Sequence, residues 1–323
     1  MNGFIDIIKK WTLPVAMLCG TGLYLLFANI QALDKAGDTL LPFFQTAVPV
    51  LLFVILFITF CRVDFKQMRI TRWHIYLSLL QVLMIAAIVV VSKCFFPKGQ
   101  GLIFMECVLM CIICPCAAAA PVITGRLGGN VTSMATFSCL SNIISALMIP
   151  AVFPLIDTEV NVEFLPAFFM ILRRVTQILI LPMAAAFLVK HYWHPFHRLV
   201  VKEPSLSFYM WAVSLTIVTG ITVRNIAHSH ASLGFLLWIA LMSLIVCLVQ
   251  FALGRWVGDR WNAVLEGGQA LGQKNTAFAI WIASLYLNPV STVAPGCYIL
   301  WQNLVNSYEL YRSARQHNHQ TGN

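Results

Sequence analysis

The stretch Gly272-Gln273-Lys274-Asn275-Thr276 interrupts an otherwise apolar run from Trp261 to Leu287. A charge at membrane depth costs about 2.5–3.5 kcal/mol on insertion scales, so an intramembrane lysine marks a functional site by default. Lys274 stands 13 residues from either end of its run, too deep for its stem to carry the ammonium to the interface. A second interruption, Cys114-Pro115-Cys116 through Ala120-Pro121, breaks an earlier apolar run. Two interrupted helices in corresponding halves of a chain point to a secondary transporter with its site near the midplane.

The composition around these breaks is that of a membrane protein. The 323 residues are 59% hydrophobic and 10% charged, with mean hydropathy +0.81; soluble domains carry about 25% charged residues. The net charge of +9 is scattered between apolar runs. It therefore belongs to membrane topology, and a nucleic-acid partner is excluded. The first apolar run lacks a small-residue cleavage site, so no cleaved signal is expected there. The ten cysteines lie mostly inside apolar runs, where cysteine serves as a small packing residue; no disulfide is predicted.

Runs of spanning length, about 20 residues each, fall near 11–30, 41–60, 75–93, 102–124, 131–155, 170–190, 206–224, 232–254, 261–287 and 293–311. Polar loops are expected at Gln31–Asp38, Arg62–Arg72, Lys190–Glu203 and Arg255–Arg260. The periodicity is helical throughout, and the expected fold is an all-α polytopic membrane protein of ten transmembrane helices. With both termini cytoplasmic, 14 of the 21 basic residues fall on the cytoplasmic side, as the positive-inside rule requires. Arg173 and Arg174 fit least well, and the segment 164–172 is a candidate for lying along the interface. Ten spans divide into repeats over 1–160 and 161–315. An odd number of helices per repeat inverts the second copy, and each fourth helix carries a break. Residues 316–323 read as a disordered cytoplasmic tail.

Pro115 and Pro121, six apart, each remove a backbone donor from the fourth span. The alanines between them allow another backbone to approach closely. The freed half-helix N-termini near Ala118–Thr124 and Asn275–Thr276 suit a carboxylate. Cys111, Cys114 and Cys116 form a C-x-x-C-x-C pattern that suits a soft metal or metalloid, although no histidine lies nearby in sequence and no metal is expected. Glu266, Ala270 and Lys274, spaced by four, would share one face of a continuous helix. Gln81 is a lone polar residue in the third run. Asn130, Ser138, Ser141 and Asn142 make the fifth run polar on part of its surface. Gln302, Asn303 and Asn306 do the same for the tenth. Glu106 is either functional or an interfacial pairing residue. His191, His194 and His197 read as a solvated turn. No Ser/His or paired-Asp arrangement lies at depth, so no enzyme is expected.

Taken together, Cys114-Pro115 through Pro121, Gly129-Asn130, Gly272 through Ala279, and Pro295-Gly296 with Trp301-Gln302-Asn303 give a chain that resembles the bile acid:sodium symporter family over essentially its whole length. The resemblance implies two inverted five-helix repeats. A panel of helices 1, 2, 6 and 7 faces a core of 3, 4, 5, 8, 9 and 10, with broken helices 4 and 9 crossing. It also implies transport of organic anions with two sodium ions beside that crossing. At the positions that match, however, the family's sodium-binding glutamate falls on Ala270 and its glutamine on Lys274. The Ser-Asn pair of helix 4 falls on Ala120-Pro121. Of the helix 5 hydroxyls one falls on Met134, and only Ser138 keeps its oxygen; Gln81 matches the helix 3 ligand. An ammonium stands where a cation's ligands would be, and two cations in contact in a low-dielectric site repel strongly.

The expectation is a secondary active transporter of a small or bile acid-like organic anion. Pro115, Ala120, Pro121, Thr124, Asn275, Thr276, Gln302 and Asn303 would hold substrate. Lys274, Gln81, Ser138, Gln273 and Glu266 would serve ion coupling, by Na+ or H+ if any ion is used. Lys274 would take the cation's place, either titrating or staying charged against the anion, since buried lysines change protonation readily. The alternatives are a sodium-coupled symporter using Glu266, an arsenite or metalloid exporter using the cysteines, and a non-transporting membrane sensor. The expected setting is a bacterial-type inner or cell membrane, with lipid the other partner.

Overall fold

The computed structural model describes residues 12–29, 31–64, 66–156, 164–202, 206–228 and 231–321. It is helical throughout, and among the described residues the one β-type pairing is an isolated bridge between Cys116 and Lys274. The helices are α1 (Thr12–Asn29), α2 (Gln31–Cys61), α3 (Arg72–Phe95), α4 (Gly99–Ile113), α5 (Ala120–Arg126), α6 (Val131–Ile156), α7 (Phe164–Leu179) and α8 (Leu181–Tyr192). They continue as α9 (His194–Lys202), α10 (Leu206–Ala227), α11 (Leu233–Asp259), α12 (Val264–Gly272), α13 (Thr276–Tyr286) and α14 (Val293–Thr321), with a 3-10 turn at Pro289–Thr292.

Among the described residues, five segments are long and apolar enough to cross a membrane: Pro42–Cys61, Arg72–Phe95, Val131–Ile156, Phe168–Tyr192 and Leu233–Asp259. Shorter apolar helices cover Val15–Asn29, Gly99–Ile113, Ala212–Ala227 and Thr276–Tyr286. Large apolar side chains such as Leu83, Leu237 and Leu304 face outward, as a bundle solvated by lipid requires. Inside, Ile85, Leu109, Ile113, Ile149, Phe278 and Ile282 form one core where α3, α4, α6 and α13 meet.

Several boundaries differ from the sequence reading. Gln31–Asp38, expected as a loop, opens α2, which runs on through Pro42 and Pro49 to Cys61. Arg255–Asp259 likewise continues α11, because neither stretch holds a proline and the positive φ of 52° at Asn262 comes after the second. The expected loop after Lys190 holds α9. The helix begun at Val293 runs on to Thr321, through most of the segment read as a disordered tail. Arg173 and Arg174 belong to a helix continuous over 164–179 that passes into α8, so 164–172 is the first half of that helix.

Close helix approach depends on glycine at two places. A Cβ on Gly20 of α1 would lie 2.3 Å from the Thr216 carbonyl oxygen of α10, and one on Gly254 of α11 would lie 2.1 Å from the Gly267 oxygen of α12. The second contact presses α12 against α11 and so sets the position of the break that follows it.

Candidate functional site

Both predicted breaks are present, and they bind each other. Helix α4 stops at Ile113 and α5 begins at Ala120; α12 stops at Gly272 and α13 begins at Thr276. Between them the Ala117 N–H donates to the Gln273 carbonyl (3.1 Å), and the Asn275 N–H donates to the Pro115 carbonyl (2.9 Å). The unwound segments thus meet as a two-residue antiparallel ladder, which satisfies backbone groups that lipid could not.

Ending a helix at membrane depth leaves its last carbonyls without partners. Here side chains from four other elements supply them. The Cys111 carbonyl accepts from Gln250 Nε2 (2.9 Å), and Ile113 from Ser145 Oγ (2.8 Å). The Ile112 carbonyl accepts both from Gln81 Nε2 (2.9 Å) and from the ammonium of Lys274 (3.0 Å). Gln81 also reaches the Cys114 carbonyl at 3.4 Å. The Lys274 ammonium therefore caps the negative end of the α4 dipole, where a cation is stabilised. Its side chain is fully buried, with 1% of its surface exposed. Among the described residues no carboxylate pairs with it.

The Lys274 backbone is clamped as well. Gln302 Oε1 accepts its N–H (2.9 Å), and Gln302 Nε2 donates to its carbonyl (3.3 Å). Tyr298 donates to the Gly272 carbonyl (2.8 Å) and accepts from Gln250 (2.9 Å). On the opposite break the Cys116 N–H donates to Ser141 Oγ (2.9 Å). Asn275 caps α13, its Oδ1 accepting the Phe278 N–H at 3.2 Å. Removing such a cap costs about 1 kcal/mol, so Asn275→Ala is expected to lower the melting temperature of the purified protein while Asn275→Asp retains it. An unchanged melt for Asn275→Ala would show that the break does not depend on this cap.

The expected site residues divide in two. Pro115, Asn275, Thr276, Gln302, Lys274 and Gln81 meet at the ladder. Ala120 is buried beside it, against Met134, Leu77 and Ala270. Pro121 and Ser138 line a small pocket of about 10 Å3 between α2 and the break, roughly the space of one water. Cys116, Ala118, Ala135 and Asn142 complete its core side, and Leu56, Thr59, Phe60 and Val63 its α2 side. Asn142 Oδ1 is buried there with no hydrogen-bond partner among the described residues.

Four residues lie elsewhere. Helix α12 ends before Lys274, so Glu266 and Lys274 do not share a face: Glu266 Oε1 instead accepts the Asn130 N–H at 2.5 Å, tying α12 to the start of α6. Gln273 turns away from the ladder toward Gln269 and Asn306. Asn303 bonds back to the Ile299 carbonyl of its own helix (2.6 Å). Thr124 is buried further along α5, beneath Gly129. Glu106, buried at the middle of α4, receives the Asn288 N–H (3.2 Å) and the Ser291 hydroxyl (2.6 Å). His197 of the expected solvated turn donates to the Cys61 carbonyl at 2.7 Å. Among the described residues no three His, Cys, Asp or Glu side chains gather to hold a metal ion, Cys111, Cys114 and Cys116 included.

Sequence reasoning passed over Ser145, Gln250 and Tyr298. The signal for Gln250 was present: it is a lone amide in the run 232–254, as Gln81 is in its own. Ser145 continues the four-residue spacing of Ser141.

An apolar helical bundle whose two interrupted helices cap one another at their breaks is the architecture of a membrane carrier. The chain belongs to the Sodium Bile acid symporter family, whose model matches residues 49–229, more than half of its length. That match covers the first break and ends before the second. No curated protein matches the chain. Members of the family are transporters and not enzymes, which makes a small solute the substrate and a membrane the setting.

Proposed function

We propose that this protein is a secondary active transporter of an organic anion, and that the Lys274 ammonium replaces a coupling cation. The observation that carries the reading is the position of that ammonium, on the Ile112 carbonyl at the C-terminal end of an interrupted helix. A free cation bound there would need the same carbonyl and would face the ammonium's repulsion. The built-in charge offers an anionic substrate electrostatic complementarity without a co-bound ion.

The wider architecture in this reading is ten spans in two inverted repeats, with both termini cytoplasmic. The spans α4–α5 and α12–α13 cross in the core; α1, α2, α7–α8 and α10 form the panel. Packing of α1 on α10 through Gly20, and of α2 on both α8 and α10, supports the panel as one body. The small pocket between α2 and the break, with an Asn142 amide oxygen unpartnered among the described residues, supports a substrate route along the panel–core seam. Rocking of the panel against the core would open that seam to either side in turn.

The test needs no knowledge of the substrate. Melting temperatures in sodium chloride and choline chloride at equal ionic strength are expected to coincide, because no sodium site adds RT ln(1 + [L]/Kd) to the folded state. A sodium-specific rise would mean that a cation site survives and that Lys274 does not replace it. Proteoliposome uptake of labelled bile acids and short carboxylates without a sodium gradient then separates a carrier from a sensor. Ligand binding without flux would overturn the transport reading.

A further inference from the structure

Helix α9 has two faces, and only one is accounted for by the fold. Its inner face holds α2: Phe196 stacks on Phe57 with ring centroids 6.4 Å apart, and His197 Nε2 donates to the Cys61 carbonyl at 2.7 Å. Just before it, Lys190 donates to the Val63 carbonyl (2.7 Å) and pairs with Asp64 at 3.8 Å. These contacts cap the end of α2, where Leu56, Thr59, Phe60 and the following Val63 wall the small pocket.

The outer face carries His194, Arg198 and Lys202, four residues apart and all exposed. Side chains at that spacing form one stripe along a helix. None of the three makes a hydrogen bond or ion pair among the described residues. Beside the stripe, Tyr192, Trp193 and Leu199 are 75%, 58% and 65% exposed, an unusual set of large apolar groups beside free cations. The helix follows directly on the span Phe168–Tyr192 and is followed by α10, whose apolar part is Ala212–Ala227. It is therefore held at the membrane boundary. A basic stripe flanked by aromatic and aliphatic side chains at that depth is the pattern of a helix lying in the interface of an anionic leaflet.

We propose that α9 is a docking surface for anionic phospholipid headgroups. Arg198 and Lys202, with His194, meet the phosphates, while Tyr192, Trp193 and Leu199 sit among the upper acyl carbons. Because the inner face of the same helix grips the end of α2, headgroup occupancy steadies the wall of the cavity. The proposal stands whether or not the protein carries organic anions, since it concerns the folded chain and lipid alone.

The experiment titrates the full-length protein in detergent with phosphatidylglycerol or phosphatidylcholine and reads both the melting temperature and bound lipid by native mass spectrometry. Phosphatidylglycerol is expected to raise the melting temperature and phosphatidylcholine to leave it nearly unchanged. A basic side chain near an anionic surface is worth about fivefold in affinity. Arg198→Gln/Lys202→Gln should therefore need about 25-fold more phosphatidylglycerol for half the effect, while Arg198→Lys/Lys202→Arg should behave as the parent. A control pair at the α3–α4 junction, Lys93→Gln/Lys98→Gln, should keep the parent response. Equal protection of parent and neutralised variant, or none by phosphatidylglycerol, would overturn the proposal. So would equal protection by soluble glycerophosphate, which would make the stripe a site for free anions.

Discussion

Lys274→Met is expected to reduce organic-anion uptake in proteoliposomes by about 10- to 150-fold, the equivalent of the ~1.5–3 kcal/mol carried by a hydrogen bond to a charged group. Methionine matches the lysine stem in length and flexibility and fills the same buried space. The change therefore removes the ammonium and little else. The Ile112 carbonyl keeps its bond from Gln81, so the protein should still fold, with a modest loss of melting temperature. Lys274→Gln separates charge from hydrogen bonding. A glutamine amide can still donate toward Ile112 but brings no charge to the α4 terminus, so uptake should stay low. With the tethered ammonium gone, the repulsion that keeps a free cation away from the Ile112 and Cys114 carbonyls is gone too. A sodium-specific stabilisation should then appear in Lys274→Gln, about 1.4 kcal/mol when sodium is tenfold above its Kd, that the parent lacks. Uptake at the parent rate in Lys274→Met would remove the lysine from the mechanism.

Much of this site was legible because its residues violate the rules of a lipid-facing helix. Pro115 and Pro121 each lack a backbone N–H to donate within a helix, and Lys274 and Gln81 cannot be left in hydrocarbon without partners. Each violation marked a position, and the structure brings these positions together. What the sequence does not carry is direction. Glu266, Ala270 and Lys274 look collinear only while the helix is assumed continuous; once α12 stops at Gly272, the backbone turns and Glu266 serves the start of α6. Gln273 and Lys274 are neighbours, yet in the extended break their side chains leave on opposite sides, one toward Asn306 and the other toward Ile112. By sequence Asn303 is expected to hold substrate, and Asn306 reads only as polar lining of the same run. The turn of α14 sends Asn306 inward and leaves Asn303 half-buried on its own carbonyl. Ser145 and Gln250 act by capping carbonyls 32 and 139 residues away, a pairing that no local pattern encodes.

The break at Gly272 is held in place by the contact behind it, and Gly254→Ala should show this with a loss of stability among the largest for alanine at the described glycines. A Cβ at Gly254 would lie 2.1 Å from the Gly267 carbonyl oxygen and 2.8 Å from its carbon; one at Gly267 would lie 2.3 Å from the Gly254 oxygen. A Cβ at Gly258, one turn on, would lie 2.1 Å from the Ala263 oxygen. All of these obstacles are backbone, so no rotamer change relieves them, and α11 and α12 must move apart. Overpacking of this kind costs about 1–3 kcal/mol or more, and the loss of close packing between small-residue faces adds to it in a membrane. The displacement would propagate. Arg255 pairs with Glu309, and Gln269 donates to the same carboxylate at 2.5 Å, so separating α11 from α12 pulls on both links to α14. Tyr298 on α14 holds the Gly272 carbonyl, and the ladder to Cys116 begins two residues later. Gly254→Ala and Gly267→Ala are therefore expected to lower the melting temperature and impair uptake together. Two controls fix the interpretation. A Cβ at Gly22 meets nothing within 4 Å, and alanine there should be neutral or stabilising by about 0.5–1 kcal/mol, since it replaces glycine in a helix interior. A Cβ at Gly268 meets the flexible Arg255 side chain at 2.8 Å, which can swing aside, so its cost should fall between the two. A melt for Gly254→Ala that matches Gly22→Ala would mean that the α11–α12 contact is looser than its geometry, and that the second break is positioned by the ladder alone.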